Sequence, residues 1–486
     1  MVSEFTASLS TFTTKEPRDN PVAVAGEVTD VPELSSDCCP EAFSLIRSWI
    51  SLCLDRHPEC RHTISGAFVD DINGPPLPTR VLDVGDVRNN HVRLLESRGR
   101  KGTFCALSYC WGTGEHNVKT TKDNYDQHVK SIKWGSMPQT FKDAIEITRE
   151  TGVRYLWIDS LCIIQDDKSD WAAESSRMSA VYETAYLVIA ASGASDPSEG
   201  CFSSKPRCPV AVEIPYESSS GTDGATVCIS LRNPDNDRPA FGPLNQRGWA
   251  LQETHLARRT VYYMPGGMCW KCKMLQCTER SNEDFEYYDD WDSILQQYSS
   301  QNLTIRTDRL PALQGLANAY QERSQDRYYI GIFGSDLPGH LLWMMECEQT
   351  EETFNWPTWS WASKEGSKVF MTTQVDTAVN ISHPRICFDE ESSALHILGP
   401  IASAKIGGTL TLDEQDTQDN PTLAPVLSLL YFTRRLPCQS IQSQQDTPEI
   451  IGVAAMDGSY SGAVSIALLS ESSWDQVKST PGVYYT

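Results

Sequence analysis

Three carboxylates carry the most chemical promise in this chain: Asp159, Glu174 and Glu253. Asp159 closes the short apolar run Arg154-Tyr-Leu-Trp-Ile-Asp159, the place from which a side chain enters a ligand crevice at the carboxyl end of a strand. Glu174 lies one turn into the next helical stretch, on the same side as Trp171 by spacing. Glu253 ends the block Arg247-Gly-Trp249-Ala-Leu-Gln-Glu253. Carboxylates so placed suit acid–base work or stabilisation of a developing cation. The same residues can instead cap a helix and pair with Arg154 or Arg177, and the spacing leaves both readings open for Asp159 and Glu174.

Soft ligands form a second group. Cys53-x-x-x-His57-x-x-Cys60, with Cys38-Cys39 nearby, offers enough donors for a tetrahedral zinc. The spacing is not that of a standard finger, and a helix carrying Cys53 and His57 at i and i+4 equally packs them, so no metal is assigned. Cys269-x-x-Cys272 with Cys277 lacks a second well-spaced pair and reads as a β-hairpin with buried thiols. Cys162 has no histidine near it in sequence and an apolar setting (Leu161, Ile163, Ile164), which favours a packed thiol over a nucleophile. Gly112-Thr-Gly114 is too short for a phosphate loop; Gly112 is read as the tight exit from a strand. The tryptophans at 111, 157, 171, 249, 270, 356, 359 and 361 are read first as core residues.

The elements that must position these groups follow from periodicity. Ala42, Leu45, Ile46, Trp49, Ile50 and Cys53 recur at helical spacing up to His57-Pro58. Short strands are expected at Arg80–Val84 and Val92–Glu96. Thr103–Tyr109 is an apolar strand stopping at Trp111-Gly112. Pro138–Glu150 is a helix with Phe141, Ala144, Ile145 and Ile147 inward and Gly152 as its stop. Asp170–Tyr182 is expected as one helix, with Asp170 as N-cap and Trp171, Met178, Val181 and Tyr182 facing in. Ala185–Ala191 is a third buried strand. Strand–helix–strand–helix–strand order implies a parallel sheet covered on both faces. Ala225–Leu231 and Arg259–Tyr263 read as strands, Arg309–Arg323 as a helix, and the chain beyond Trp359 as β-rich, with polar loops at 412–421 and 439–447.

Composition limits the partners. With 486 residues, 40% hydrophobic and 22% charged, the chain is long enough for two or three domains. A formal charge of −23 spread along the length disfavours nucleic acid and anionic membrane surfaces. No apolar run approaches the roughly 20 residues that span a bilayer, and Met1–Thr14 lacks a secretory pattern. The 16 cysteines are therefore expected to be reduced and mostly buried, the sequons at Asn302 and Asn380 accidental, and the compartment cytoplasmic.

The same motifs carry a family resemblance. Phe104-Cys-Ala-Leu-Ser108-Tyr109-Cys-Trp111-Gly112 resembles the opening motif of the fungal heterokaryon-incompatibility (HET) domain. Pro138-x-Thr140-Phe-x-Asp143-Ala144 resembles its second element. Tyr155-Leu-Trp-Ile-Asp159-Ser-Leu-Cys-Ile-Ile-Gln-Asp166, followed by Asp170-Trp171-x-x-Glu174-x-x-x-Met178-x-x-x-Tyr182, is similar to its longest block. Arg247-Gly-Trp249-x-Leu-Gln-Glu253 with Arg258-Arg259 completes the set, and the likeness extends from about 40 to 365 through Pro78-Thr-Arg80 and Trp359-Ser-Trp-Ala-Ser363.

The resemblance implies a role in fungal non-self recognition and cell death, with a distant similarity to Toll/interleukin-receptor (TIR) domains, some of which hydrolyse NAD with one glutamate. A nicotinamide-cleaving site needs a carboxylate for the ribose and the cationic charge of bond breaking, plus an aromatic wall. The catalytic candidates are Glu174, Asp159 and Glu253. The substrate-binding candidates are Ser108, Tyr109, Trp111, Gly112, Trp171, Arg247 and Trp249. By TIR strand order the glutamate would be Glu199, in Ser198-Glu-Gly-Cys-Phe202; its Gly-containing turn ranks it below Glu174.

The expected fold is α/β, a TIR-like (flavodoxin-like) parallel sheet with helices on both faces. Residues 1–36 are read as disordered, 37–100 as an N-terminal helix and short strands, and 101–283 as the HET core. A helical extension covers 284–365 and a β-rich region 366–486. The expected function is an incompatibility or cell-death effector, with no required cofactor and NAD as a possible substrate. The alternatives are a non-enzymatic module that self-associates or engages an incompatibility partner, and a metabolic enzyme recruited from the family. No NACHT-type phosphate loop or repeat array accompanies the motifs, which points to an isolated effector.

Overall fold

The computed structural model describes residues 8–12, 34, 36–85, 91–112, 118–202, 212–216, 225–232, 239–279, 290–303 and 305–336, with short stretches between 340 and 466. The polar loops expected at 412–421 and 439–447, and the sequon at Asn380, lie outside the described residues. Two compact units divide the chain: residues 1–287 with 312–323, and residues 288–311 with 324–486.

In the first unit, β1 (Ser8–Phe12) pairs antiparallel with β8 (Ala225–Arg232), which also pairs with β7 (Val212–Tyr216). A strand thus lies within the segment expected to be disordered. Helix α1 (Pro40–Arg56) buries Ala42, Phe43, Ile46, Trp49, Ile50 and Cys53, the stripe its periodicity dictates.

The central sheet has eight strands: β2 (Arg80–Asp83), β3 (Arg93–Glu96), β4 (Phe104–Ser108), β5 (Tyr155–Trp157), β6 (Leu187–Ala190), β9 (Arg259–Met264), β10 (Gly267–Cys272) and β11 (Gln276–Thr278). Their order is β11-β10-β9-β6-β4-β5-β2-β3. The pairs β4–β5, β4–β6 and β6–β9 are parallel. The flanks β2, β3, β10 and β11 run antiparallel, so the sheet is mixed rather than wholly parallel as expected. Short connections between consecutive flanking strands allow only hairpins, whereas the parallel strands are separated by helices. Because β2 and β3 join this sheet, an N-terminal element ending at residue 100 does not stand apart from it.

Every residue of β4, β6 and β9 is buried, as a strand covered on both faces requires. Helices cover both faces. Along β4 successive side chains alternate. Cys105 meets Thr148 of α2 (Gln139–Glu150) on one face, while Ser108 meets Glu253 of α5 (Gly248–His255) on the other. After β5 the chain forms α3 (Lys168–Ser175) and α4 (Met178–Thr184), then returns as β6 on the opposite side of β4. In sheets of this kind such a reversal is where a ligand crevice lies, here at the carboxyl ends of β4 and β6.

The single helix expected over Asp170–Tyr182 is broken at Ser176–Arg177 into α3 and α4. Asp167, not Asp170, caps α3, accepting from the Ser169 and Asp170 backbone amides. Asp170 is instead drawn inward to Arg80, 2.5 Å away. Glu174, four residues on, shares that inner face. Trp171 is thereby rotated outward and is 47% exposed, contrary to the expected inward position.

In the second unit, α6 (Trp291–Ser299) packs on the hairpin β12 (Tyr328–Tyr329) and β13 (Ile332–Phe333), with the rings of Trp291 and Phe333 5.0 Å apart. The Trp291 and Trp361 indoles both donate to the Gly331 carbonyl, each at 3.1 Å. Helix α7 (Pro311–Ser324) supplies residues 312–323 to the first unit, where Gly315 N donates to Gln252 Oε1. Farther along the chain, β14 (Met344–Glu346) pairs with β15 (Lys368–Phe370) and β16 (Arg385–Asp389) with β17 (Ala394–Leu398). No helix among the described residues is long and apolar enough to cross a membrane.

Candidate functional site at the carboxyl ends of the parallel strands

The crevice is built from the last residue of β4 outward. Ser108, fully buried, donates to Glu253 Oε2 at 2.5 Å. Tyr109 donates to Ser160 Oγ at 3.0 Å, and its ring lies edge-on to Phe141 of α2. Trp111 donates its indole N–H to Asp159 Oδ2 at 2.8 Å. Asp159 begins a single helical turn after β5, and its other oxygen accepts from Ser160 N. Arg247, ahead of α5, donates to the Tyr109 carbonyl. Ser108, Tyr109, Trp111, Asp159, Arg247 and Glu253 are therefore brought together, across motifs far apart in sequence.

The electrostatics separate the two carboxylates. Burial raises Glu253 to about 7; Asp159 adds to the rise, and Arg247, Ser108 and Tyr182 oppose it. Asp159 is also raised, chiefly by burial, with Arg247 and the Trp111 hydrogen bond opposing. Asp159 and Trp111 are half-buried, whereas Glu253 and Ser108 are buried. A carboxyl group poised near neutrality is a competent general acid or base, and a second carboxylate beside a guanidinium can meet charge on a ligand.

Gly112 has a φ of +62° and approaches the loop after β6 so closely that a Cβ would overlap Asp196. That loop is fastened by α2: Thr140 N donates to the Pro197 carbonyl at 2.9 Å, and Cys201 N to Asp143 Oδ2 at 2.8 Å. Glu199 is exposed on the same loop and accepts from Ser195 Oγ at 2.6 Å. Trp249 is half-buried on α5.

Glu174 and Trp171 are not part of this cluster. Glu174 is buried and accepts from Thr79 Oγ1 at 2.8 Å and Arg177 at 3.1 Å. This is the ion pair with Arg177 that sequence spacing left open. Asp159 does not pair with Arg154, which binds Asp83 at 2.9 Å. Cys162 is buried and pushed up to about 12 by that burial, a packed thiol rather than a nucleophile.

Three neighbours were not marked as site residues by sequence: Tyr182, Ser160 and Asp196. Tyr182, buried on α4, donates to the Leu107 carbonyl at 3.1 Å and also hydrogen-bonds Glu253. Its place at the end of the Asp170–Tyr182 motif was the available signal, but an inward tyrosine reads as core until its hydroxyl's partner is seen.

No curated protein and no solved structure matches the chain. The family model for heterokaryon incompatibility protein (HET) matches residues 104–253. It begins with β4 and ends on Glu253, so the match encloses the crevice just described. Residues 104–253 of this chain are thus similar to the heterokaryon-incompatibility (HET) family.

Proposed function

We propose that this HET domain is the effector of a fungal incompatibility or cell-death response, and that it acts by hydrolysing the nicotinamide–ribose bond of NAD. The observation that carries the reading is the buried Glu253, near neutrality and bonded to Ser108, together with the half-buried Asp159 and Trp111. The parallel strand sequence β5-β4-β6-β9, or 2-1-3-4, supports a TIR-like, flavodoxin-like reading of the fold, with the ligand at the β4/β6 reversal.

Each group has a role in this scheme. Trp111 walls the nicotinamide ring. Asp159 offsets the positive charge that spreads over the ribose as the C1′–N bond breaks and the electron pair leaves with neutral nicotinamide. Water adds to C1′, and its proton passes through Ser108 Oγ to Glu253. The Arg247 guanidinium suits the pyrophosphate. The products are ADP-ribose, nicotinamide and a proton. The glutamate assigned here is Glu253; Glu174 is read as structural.

We read the domain as self-associating in a reducing, cytoplasmic setting, with an incompatibility partner as its trigger. Purified full-length protein incubated with NAD at high, oligomer-favouring concentration should release nicotinamide. Absence of release there removes the enzymatic reading and leaves signalling by contact.

A further inference from the structure

A second cluster lies away from the crevice, where α1 meets β10. Cys53 and His57 fall on one face at the end of α1, and the turn Pro58–Arg61 carries Cys60 back toward them. Cys272, the last residue of β10, arrives from the far side of the sequence. The four ligand atoms all lie within 4.8 Å of one another. His57 Nδ1 is 3.3 Å from Cys272 Sγ. A tetrahedral zinc with Zn–S of about 2.3 Å and Zn–N of about 2.0 Å holds its ligand atoms roughly 3.5–3.8 Å apart. The widest pair therefore needs to close by only about 1 Å.

The neighbours select the residues. Cys39, at the other end of α1, has its sulfur on Ala42 N, and Cys38 is exposed. Cys269 and Cys277 belong to the β10–β11 hairpin, where they face Thr278 and Trp270 across the ladder. Cys53, Cys60 and Cys272 are buried free thiols.

Charge balance points the same way. Arg258 and Arg259 are fully buried and share Asp71, at 2.8 Å each. Two guanidiniums on one carboxylate leave one positive charge in excess inside the protein, which is costly unless offset. Zinc with three thiolates and one neutral imidazole carries one negative charge. Arg259 Nε lies 3.3 Å from Cys53 Sγ, the kind of outer hydrogen bond that steadies a metal thiolate.

We propose that Cys53, His57, Cys60 and Cys272 bind one zinc ion in a closed, structural site that clamps the end of α1 to β10. Four protein ligands leave no open position for catalysis. The stacking of Trp49 on Trp270, 5.9 Å between ring centroids, holds the same helix and strand together one turn earlier.

The test is elemental analysis of full-length protein purified without chelator, with about one zinc per chain expected. Cys60→Ser and Cys272→Ser should each lose most of the metal, while Cys39→Ser and Cys269→Ser keep it. If the first pair fails to fold, cobalt decides: reduced, demetallated wild-type protein given Co(II) should develop the absorption of a tetrahedral thiolate complex. A folded wild-type protein with no zinc and no such absorption overturns the proposal. So does full metal retention in Cys272→Ser, or a disulfide among the three cysteines in protein prepared under reducing conditions.

Discussion

Ser108 and Glu253 are 145 residues apart in sequence and 2.5 Å apart in space, and this one hydrogen bond joins the first strand of the segment that matches the HET family to its last residue. It also sets the chemistry of the crevice, because Ser108 is one of three groups that hold Glu253 down to about 7 against its burial.

Activity that depends on ionised Glu253 should rise with pH through about 7. Ser108→Ala removes a hydrogen bond that favours the carboxylate, so the midpoint of the residual activity should move to higher pH. A pH–rate profile with an unmoved or lowered midpoint would contradict the assignment.

Stability should report the same group. Glu253 has a folded value above its unfolded one, so the folded state binds the proton more tightly. Its contribution is full below about pH 4.5 and is lost as pH rises toward about 7, some 3 kcal/mol in all. Asp159 acts in the same direction. Asp71 and Asp83, held low by arginines despite their burial, act oppositely at more acid pH. Denaturant unfolding of wild type between pH 5 and 8 should therefore show falling stability, flattened in Glu253→Gln. Equal slopes in the two proteins would argue against a buried, titrating Glu253.

Asp71→Asn should cost about 3–5 kcal/mol, since it strands two buried guanidiniums. Urea unfolding measures this, and a loss below about 1 kcal/mol would mean that Asp71 is not the main counter-charge of the two arginines.

Gly112→Ala should weaken the crevice rather than the core. The new methyl meets Asp196 in a backbone conformation of φ +62° that L-residues tolerate poorly, at about 1 kcal/mol or more. NAD turnover should drop at least about tenfold with little change in melting temperature. Asp196→Ala in the same chain should recover part of it by removing the clash but not the strained φ. A Gly112→Ala enzyme with wild-type turnover would show that this approach of the two loops is irrelevant.

Much of the crevice was legible because HET motifs put their polar residues at strand ends. Ser108, Tyr109, Trp111 and Asp159 follow apolar runs that can only be buried strands. Glu174 was misleading for a local reason: its spacing from Trp171 brings it to the strand ends only if α3 turns Trp171 inward, and the Arg80–Asp170 ion pair rotates α3 the other way. Its partner Thr79 lies 95 residues upstream and gives no local signal. The antiparallel pairing of β2 with β3 was missed because both are too short to reveal direction, whereas the β10–β11 hairpin was legible around Cys269–Cys277. Cys272 was set aside for a similar reason: its fellow ligands come from α1, and no spacing rule spans that distance.

Nicotinamide release by wild type, Glu253→Gln and Glu174→Ala, measured side by side on folded protein, tests the central claim most directly. Wild type and Glu174→Ala should release nicotinamide at comparable rates, while Glu253→Gln falls by at least about a hundredfold. Undiminished release by Glu253→Gln, or its abolition by Glu174→Ala, would place the chemistry elsewhere.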